Sequence, residues 1–294
     1  MKSYLPKDLP TPQLHQILVS TVAPRPIAFA STVDENGNPN LAPYSFFNVF
    51  SSNPPILVFS SNRKVADNTT KDTLHNIEKT KEVVINVVPH EIVRQMAVAS
   101  VGFSAEVNEF EKSGLTPVPS DIVRPYRVKE SPVHYECVVK DIQPLGDKGG
   151  AGHLIICEVV KLHLAEYIFE DEDKIDPHKI NLVGRLGRAF YAKASGESVF
   201  KIFQPIPKLV VGYDALPENI KNSSVLTGNN LGQLAGLFEL PSIDNVQELL
   251  NKPAIQKIQL AENKTELLHR LAKAELEKDN VIYAARLLLL EEIL

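Results

Sequence analysis

Short runs of apolar, β-branched and aromatic residues punctuated by turn residues fill the N-terminal two-thirds of the chain. PIAFASTV (26–33), NLAPYSFF (40–47), PPILVFSS (54–61) and EVVINVVP (82–89) each predict a strand. DENGN separates the first two, and Asn36-Gly37 offers the positive backbone dihedrals of a tight hairpin. Further on, SPVHYECVVKDIQPL and HLIICEVVKLHLAEYIF predict the longest strand pair, joined through GDKGGAG. The glycines of that joint, at 146, 149, 150 and 152, lack the G-x-G-x-x-G spacing and connect two strands, so a hairpin is expected there and not a nucleotide loop. Several short strands of this kind suit a closed or nearly closed sheet.

Helical periods appear between and after these runs. TTKDTLHNIEKT predicts a helix capped by Thr69 or Thr70, with Leu74 and Ile77 opening an inward stripe. HEIVRQMAVAS places Ile92, Val93, Met96 and Ala97 at helical spacing, as core. The segment from Gly114 to Pro132 is looser and proline-rich. At KASGES the character changes, which divides the chain into domains at 1–196 and 197–294. After FKIFQPIPKLVVGYDALPENI, the leucines 267, 268, 271 and 276 and the run VIYAARLLLLEEIL predict an amphipathic, largely helical tail. Its LTGNNLG piece reads as a backbone turn at a helix start, or as a lid. Neither a heptad array nor a solenoid repeat is present.

Composition narrows the functions available. The chain has 294 residues, 44% hydrophobic and 23% charged, with a formal net charge of -5, so no general field attracts nucleic acid. No apolar run is long enough to span a membrane, and MKSYLPKDLP lacks the charged and apolar regions of a secretory signal; a cytoplasmic protein with no membrane partner is expected. Cys137 and Cys157 each fall in an apolar strand-like run and are expected as small buried thiols. The eight histidines are scattered and no short-spaced Cys/His set exists, so no metal site is expected. Redox chemistry would have to come from a cofactor.

Two stretches carry candidate chemistry. Thr69 to Thr73 combines free helix N-terminal amides, threonine hydroxyls and the Lys71 ammonium, a combination that binds anions, although Asp72 in the first turn also suits an ordinary capped surface helix. The preceding SSNRK adds Ser60, Ser61, Arg63 and Lys64 at a strand end. In NLAPYSFFN, Pro43 lacks a backbone donor while Tyr44 and Ser45 supply them, and Phe46 and Phe47 point to opposite sides of an extended run. A flavin ring needs that mixture of apolar walls and edge donors, and a strand with one buried aromatic needs no ligand at all.

Taken together, TVAPRPIAFASTVDENGNPNLAPYSFFNVFSSNPPILVFSS, KDTLHNIEKTKEVVINVV, NEFEKSGLT, ESPVHYEC, GHLIICEVV and RLGRAFYA resemble the flavin reductase-like family of FMN-binding split barrels, flavoredoxin type included, from about residue 15 to 194. The resemblance implies a mainly β fold with helices, a split β-barrel homodimer with FMN at or near the subunit interface, followed by the helical extension. It implies that Ala42, Pro43, Tyr44, Ser45 and Phe46 border the isoalloxazine ring. Ser60, Ser61, Arg63, Lys71, Asp72 and Thr73 would receive the ribityl and phosphate groups, with His153 and Arg185 near the ring or the substrate opening. Cys157 departs from the family pattern, standing where a glycine is expected, and reads as core filling.

The function so implied is an FMN-dependent oxidoreductase. Hydride would pass from NADH or NADPH to flavin N5, then on to a small-molecule or protein acceptor, with no catalytic side chain demanded. An FMN-binding electron carrier without efficient nicotinamide oxidation is the alternative, and a flavin-free dimeric scaffold a third reading.

Overall fold

The computed structural model describes residues 1–171, 173–202 and 209–293. Positions 203–208 of the FKIFQPIPKLVV run therefore lie outside the described residues. The chain divides into two compact units, Met1–Phe200 and Lys201–Leu294.

In the first unit the apolar runs become β1 (Ala28–Val33), β2 (Pro39–Tyr44), β3 (Phe47–Ser52), β4 (Pro55–Asn62), β5 (Glu82–Asn86), β6 (Val133–Pro144) and β7 (Gly152–Leu164). They form one seven-stranded sheet in the order β2-β1-β5-β6-β7-β4-β3, with every pairing antiparallel. The order explains why the sheet closes. β2 and β3 occupy opposite edges, yet only Ser45 and Phe46 separate them in sequence. Laid flat, the six inter-strand gaps would span about 29 Å, whereas the three Cα steps from Tyr44 to Phe47 reach at most about 11 Å. The sheet must curl until its edges approach at this corner, where Ser60 N donates to Phe46 O at 2.8 Å and carries the β3–β4 ladder back to the connecting residues.

Curling gives the sheet an inside. Alternate residues Ala28 and Ala30, Ala42 and Tyr44, Leu57 and Phe59, Val83 and Ile85, Cys137 and Val139, Ile155 and Cys157 form one buried cluster. Helix α1 (Thr11–Thr21) precedes the sheet, and α2 (Asp72–Thr80) adds Leu74 and Ile77 to this interior. The other face of β1 and β2 packs Phe29 and Leu41 against Ile92, Met96 and Ala99 around α3 (Val93–Val98) and against Phe110 of α4 (Glu109–Ser113). Both cysteines are fully buried, and burial pushes both thiols above their ordinary range. Cys157 is thus a core-filling residue.

Three local expectations change. The β1–β2 connection spans five residues organised by Asp34, whose carboxylate accepts from Asn36 N and Asn38 N; only Gly37 has positive φ, at 89°. Thr69 and Thr70 do not cap α2, because Lys71 holds the N-cap position and the Thr70 hydroxyl meets His75. Ala97 is exposed while Ala99 is buried, because the buried stripe runs through Ile92, Met96 and Ala99 at i, i+4 and i+7, one side of the position the sequence suggested.

The second unit is helical, as expected. It includes α5 (Gly228–Ala235), α6 (Lys264–Leu276) and α7 (Val281–Leu289), with its own core of Leu234, Leu268, Leu276, Leu287 and Leu288 among others. LTGNNLG opens α5 with a capping box: Thr227 Oγ1 accepts from Asn230 N, and Asn230 Oδ1 accepts from Thr227 N. Ser223 Oγ lies 2.7 Å from Nδ1 of the buried His269, and His269 Nε2 lies 3.3 Å from Glu291 Oε2. The amides of Val225 and Leu226 both donate to that hydroxyl oxygen, occupying the lone pairs a nucleophile would need, so the trio ties the loop to the helices. No described helix is long and apolar enough to cross a membrane.

A carboxylate anchors the irregular segment of the first unit. Glu136 is fully buried on β6 and accepts from the amides of Asp121, Ile122 and Val123, with His163 Nε2 at 2.6 Å. Asp121, Glu136 and His163 place ligand-type atoms within 4.8 Å of one another. Those on Glu136 are already engaged, and the Lys161 ammonium sits on Asp121, so the group works as a hydrogen-bonded anchor. Burial alone would raise the Glu136 pKa, but its donors overcome burial and hold it at about 2. A depressed carboxylate pKa contributes stability above the unfolded value that is lost as pH falls through the folded one. Acid titration from pH 4.5 towards 2 should therefore remove on the order of 3 kcal/mol, read by denaturant unfolding. Glu136→Gln should be less stable at neutral pH and flatter across that window.

Candidate functional site

The barrel's closing corner and the start of α2 bring most of the expected residues together. Tyr44, the last residue of β2, sends its side chain into the interior, where its ring lies against Phe59 at 5.1 Å. Burial pushes its phenol up to about 12, and the nearby hydroxyls of Thr73 and Ser61 oppose that rise without closing a well-formed hydrogen bond to it. Tyr44 Oη and Ser61 Oγ are both buried without a partner, and so is Arg63 Nε. The Lys71 ammonium lies 5.0 Å from the centre of the Tyr44 ring. Burial, reinforced by Lys64, holds the Lys71 pKa below the ordinary lysine value.

Each of these groups has a local reason to be where it is. Ser60 and Ser61 are successive residues of β4 and so face opposite sides: Ser61 points with Phe59 towards the interior, and Ser60 lines an outer cleft. His153 pairs with Ser61 across the β4–β7 ladder, and its Nδ1 lies 3.1 Å from Ser61 O. It is a buried residue of the barrel wall. Thr73 is fully buried and receives a 2.8 Å hydrogen bond from Asn40 Nδ2. The nine-residue helix α2 begins at Asp72 with no side-chain cap, leaving its first amides directed outward from the helix end.

The ring-side residues form a second group. Phe46, Phe47, Phe50, Ser60, Asn62 and Gly152 line part of a cleft of ≈ 420 Å³ on the outside of the barrel. Phe47 packs on the interior cluster while Phe46 turns the other way, towards His15 and Arg25. Ala42 is buried inside the barrel and Pro43 is half-buried on the opposite side of β2.

Arg185 stands apart from both groups. Its guanidinium donates to the carbonyls of Phe190 and Arg188 and lies 4.5 Å from the Tyr191 ring centre, which commits it to its own turn. It reaches the corner indirectly: its backbone pairs with Arg25, whose buried guanidinium donates to Val19 O, Val22 O, Leu186 O and Ser45 Oγ.

Sequence reasoning missed Arg25, Asn62 and Glu109. Arg25 sits in an otherwise apolar strand approach, APRPIAFA, which was the available signal. Glu109 is buried and caps the free edge of β2 by accepting from Leu41 N at 3.1 Å; burial raises its pKa. Nothing in NEFEKSGLT marks it, since only the fold sets that glutamate against a strand edge.

The half-buried Lys71 ammonium, without an ion pair among the described residues, the orphaned hydroxyls and the uncapped start of α2 are groups whose chemistry suits an anion. Residues 20–174 match the flavin reductase like domain. An uncharacterized protein of Aquifex aeolicus is 38% identical over 200 residues, covering 68% of this chain and 99% of its own. The structure of nitrilotriacetate monooxygenase component B from Bacillus cereus is similar with a TM-score of 0.63 and 30% identity, over 69% of this chain and 98% of that one. That of the Pseudomonas fluorescens 2-nitrobenzoate 2-nitroreductase NbaA gives 0.60 and 25%, over 70% and 99%. The chain therefore belongs to the flavin reductase-like family of split-barrel, flavin-associated reductases.

Proposed function

We propose that this protein is an FMN-dependent oxidoreductase that takes hydride from NADH or NADPH and passes the electrons to a small-molecule or protein acceptor. The observation that carries the reading is the Lys71 ammonium over the Tyr44 ring, with Tyr44 Oη and Ser61 Oγ buried beside it and Arg63 Nε buried two residues beyond Ser61; among the described residues the three buried atoms have no hydrogen-bond partner and Lys71 has no ion pair. Leaving buried polar groups unsatisfied costs about 1–3 kcal/mol each. A phosphorylated flavin satisfies them all.

In this arrangement the phosphate sits at the start of α2. Lys71 and Arg63 neutralise it, Ser61 and Thr73 donate hydroxyls, and Asp72 holds the helix end through the dipole. The corner from Ala42 to Phe46 borders the ring, and the cleft lined by Phe46, Phe47 and Ser60 shields it from water. Bound FMN supplies the hydride-accepting N5 itself. The protein's task is then to hold donor and ring in line, and His153 serves as part of the wall through its contact with Ser61 O.

FMN should bind more tightly than riboflavin. Lys71→Ala should cost FMN about 1.5–3 kcal/mol and leave riboflavin nearly unchanged, measured by fluorescence titration. Because Lys71 loses its proton more readily than an ordinary lysine, FMN affinity should fall with rising pH in the parent and be flatter in the variant. Equal affinities for the two flavins would remove the phosphate assignment. Anaerobic mixing with NADH and with NADPH should bleach the oxidised flavin band; a flavin left oxidised by both makes the protein an electron carrier.

The β3 edge supports a homodimer. Val49 and Phe50 on that strand are 61% and 68% exposed, an apolar strand edge that isolated barrels rarely leave open. Light scattering of the flavin-loaded protein at micromolar concentration should give a dimer mass, and a monomer would rule the assembly out.

A further inference from the structure

The joint between β6 and β7 holds the turn that carries Arg63. Arg63 N donates to Ala151 O at 2.8 Å, and Gly150 N donates back to Arg63 O at 3.0 Å. On either side of that exchange, Asn62 Nδ2 donates to Gly150 O at 3.2 Å and Asn68 Nδ2 to Asp147 O at 3.0 Å. Among the described residues the Arg63 side chain makes one hydrogen bond, from Nη1 to Asn68 O within the same turn, and Nε is buried without a partner. Where that guanidinium stands is thus decided by how the turn is seated on the joint.

Glycine is what lets the two backbones approach. A Cβ on Gly149 would lie 3.0 Å from Val65 O and 3.1 Å from Lys64 O, main-chain atoms that cannot rotate away. Gly150 has φ +94°. At Gly152 a Cβ would meet side-chain atoms, the Ser60 hydroxyl at 2.4 Å, Asn62 Oδ1 at 3.3 Å and Leu145 Cδ1 at 3.6 Å. Of the three, Gly149 is the one whose Cβ would press on the backbone of the Arg63 turn itself, and it is not among the residues lining the ring cleft.

We propose that Gly149 and the joint around it are positioning residues for phosphate recognition: by seating the Arg63 turn they set the preference for a phosphorylated over an unphosphorylated flavin without touching either. This rests on the phosphate reading above. It differs from a general stabilising role in one respect. Displacing the turn should weaken only the ligand that carries the phosphate.

The test is fluorescence titration of the full chain with FMN and with riboflavin, in the parent, Gly149→Ala, Asn68→Gly and Gly102→Ala. A Cβ at Gly102 meets nothing within 4 Å, so that variant controls for the glycine change itself. Asn68→Gly keeps the left-handed backbone at φ 59° and deletes the tie to Asp147, which keeps the idea testable even where Gly149→Ala fails to fold. Loss of one charge-assisted contact corresponds to about tenfold or more. Gly149→Ala and Asn68→Gly should each lose about that much FMN affinity while riboflavin stays within about twofold, and Gly102→Ala should match the parent for both. A parent that binds the two flavins equally overturns this inference together with the phosphate reading. A parent that prefers FMN, with variants that keep its ratio or lose both ligands alike, overturns the positioning role and leaves the phosphate reading standing.

Discussion

The two residues between β2 and β3 are the constraint on which the N-terminal unit depends. Because Ser45 and Phe46 must join opposite edges of a seven-stranded sheet, the sheet has no flat solution, and closure creates both an interior and a corner. The interior takes the alternate side chains of six strands. The corner takes residues whose neighbours in space come from elsewhere in the chain: Ser60 pairs with Phe46, Arg25 reaches Ser45, and Lys71 lies over Tyr44. A short connection thus brings residues distant in the chain to one corner.

Closure also sets an electrostatic problem. Tyr44 and Ser61 point inward because strand alternation requires it, and α2 closes over them with its amino end uncapped. A purely structural barrel would place apolar residues at these positions, as it does at Ala42, Phe59, Ile155 and Cys157. Tyr44 Oη and Ser61 Oγ are buried without partners among the described residues, and the nearby Lys71 ammonium has no carboxylate paired with it there. Glu136 makes the contrast plain. It is as deeply buried, yet each oxygen is met by amides, and it anchors a loop. Equal burial thus leaves very different hydrogen-bond states, fully met at Glu136 and open at Tyr44 and Ser61.

The glycine-rich joint shows how far local sequence can mislead about role. Its composition suggests a phosphate cradle, and its spacing denies one. In the fold it supports the arginine turn from behind, with the Gly149 backbone against the carbonyls of Lys64 and Val65. In the same way Ser223, His269 and Glu291 list the residue types of a hydrolytic triad, while the amides on the serine oxygen show a hydrogen-bonded tie between a loop and two helical segments.

By itself the sequence determined the strand runs, the amphipathic helices and the family, because strand and helix periods and motif order are local properties of the chain. It also singled out the APYS and SSNRK–KDT stretches, whose cations and hydroxyls are dense enough to notice in an acidic protein. Tertiary structure alone decided that NLAPYSFF breaks into two strands on opposite edges, that Ser60 and Ser61 serve different sides, that Arg185 is spent on its own turn, and that Arg25 and Glu109 hold the corner and its edge strand. Those outcomes depend on which strands become neighbours and on which hydrogen bonds remain open after packing. Residues far apart in the chain settle both, so no window of sequence contains them.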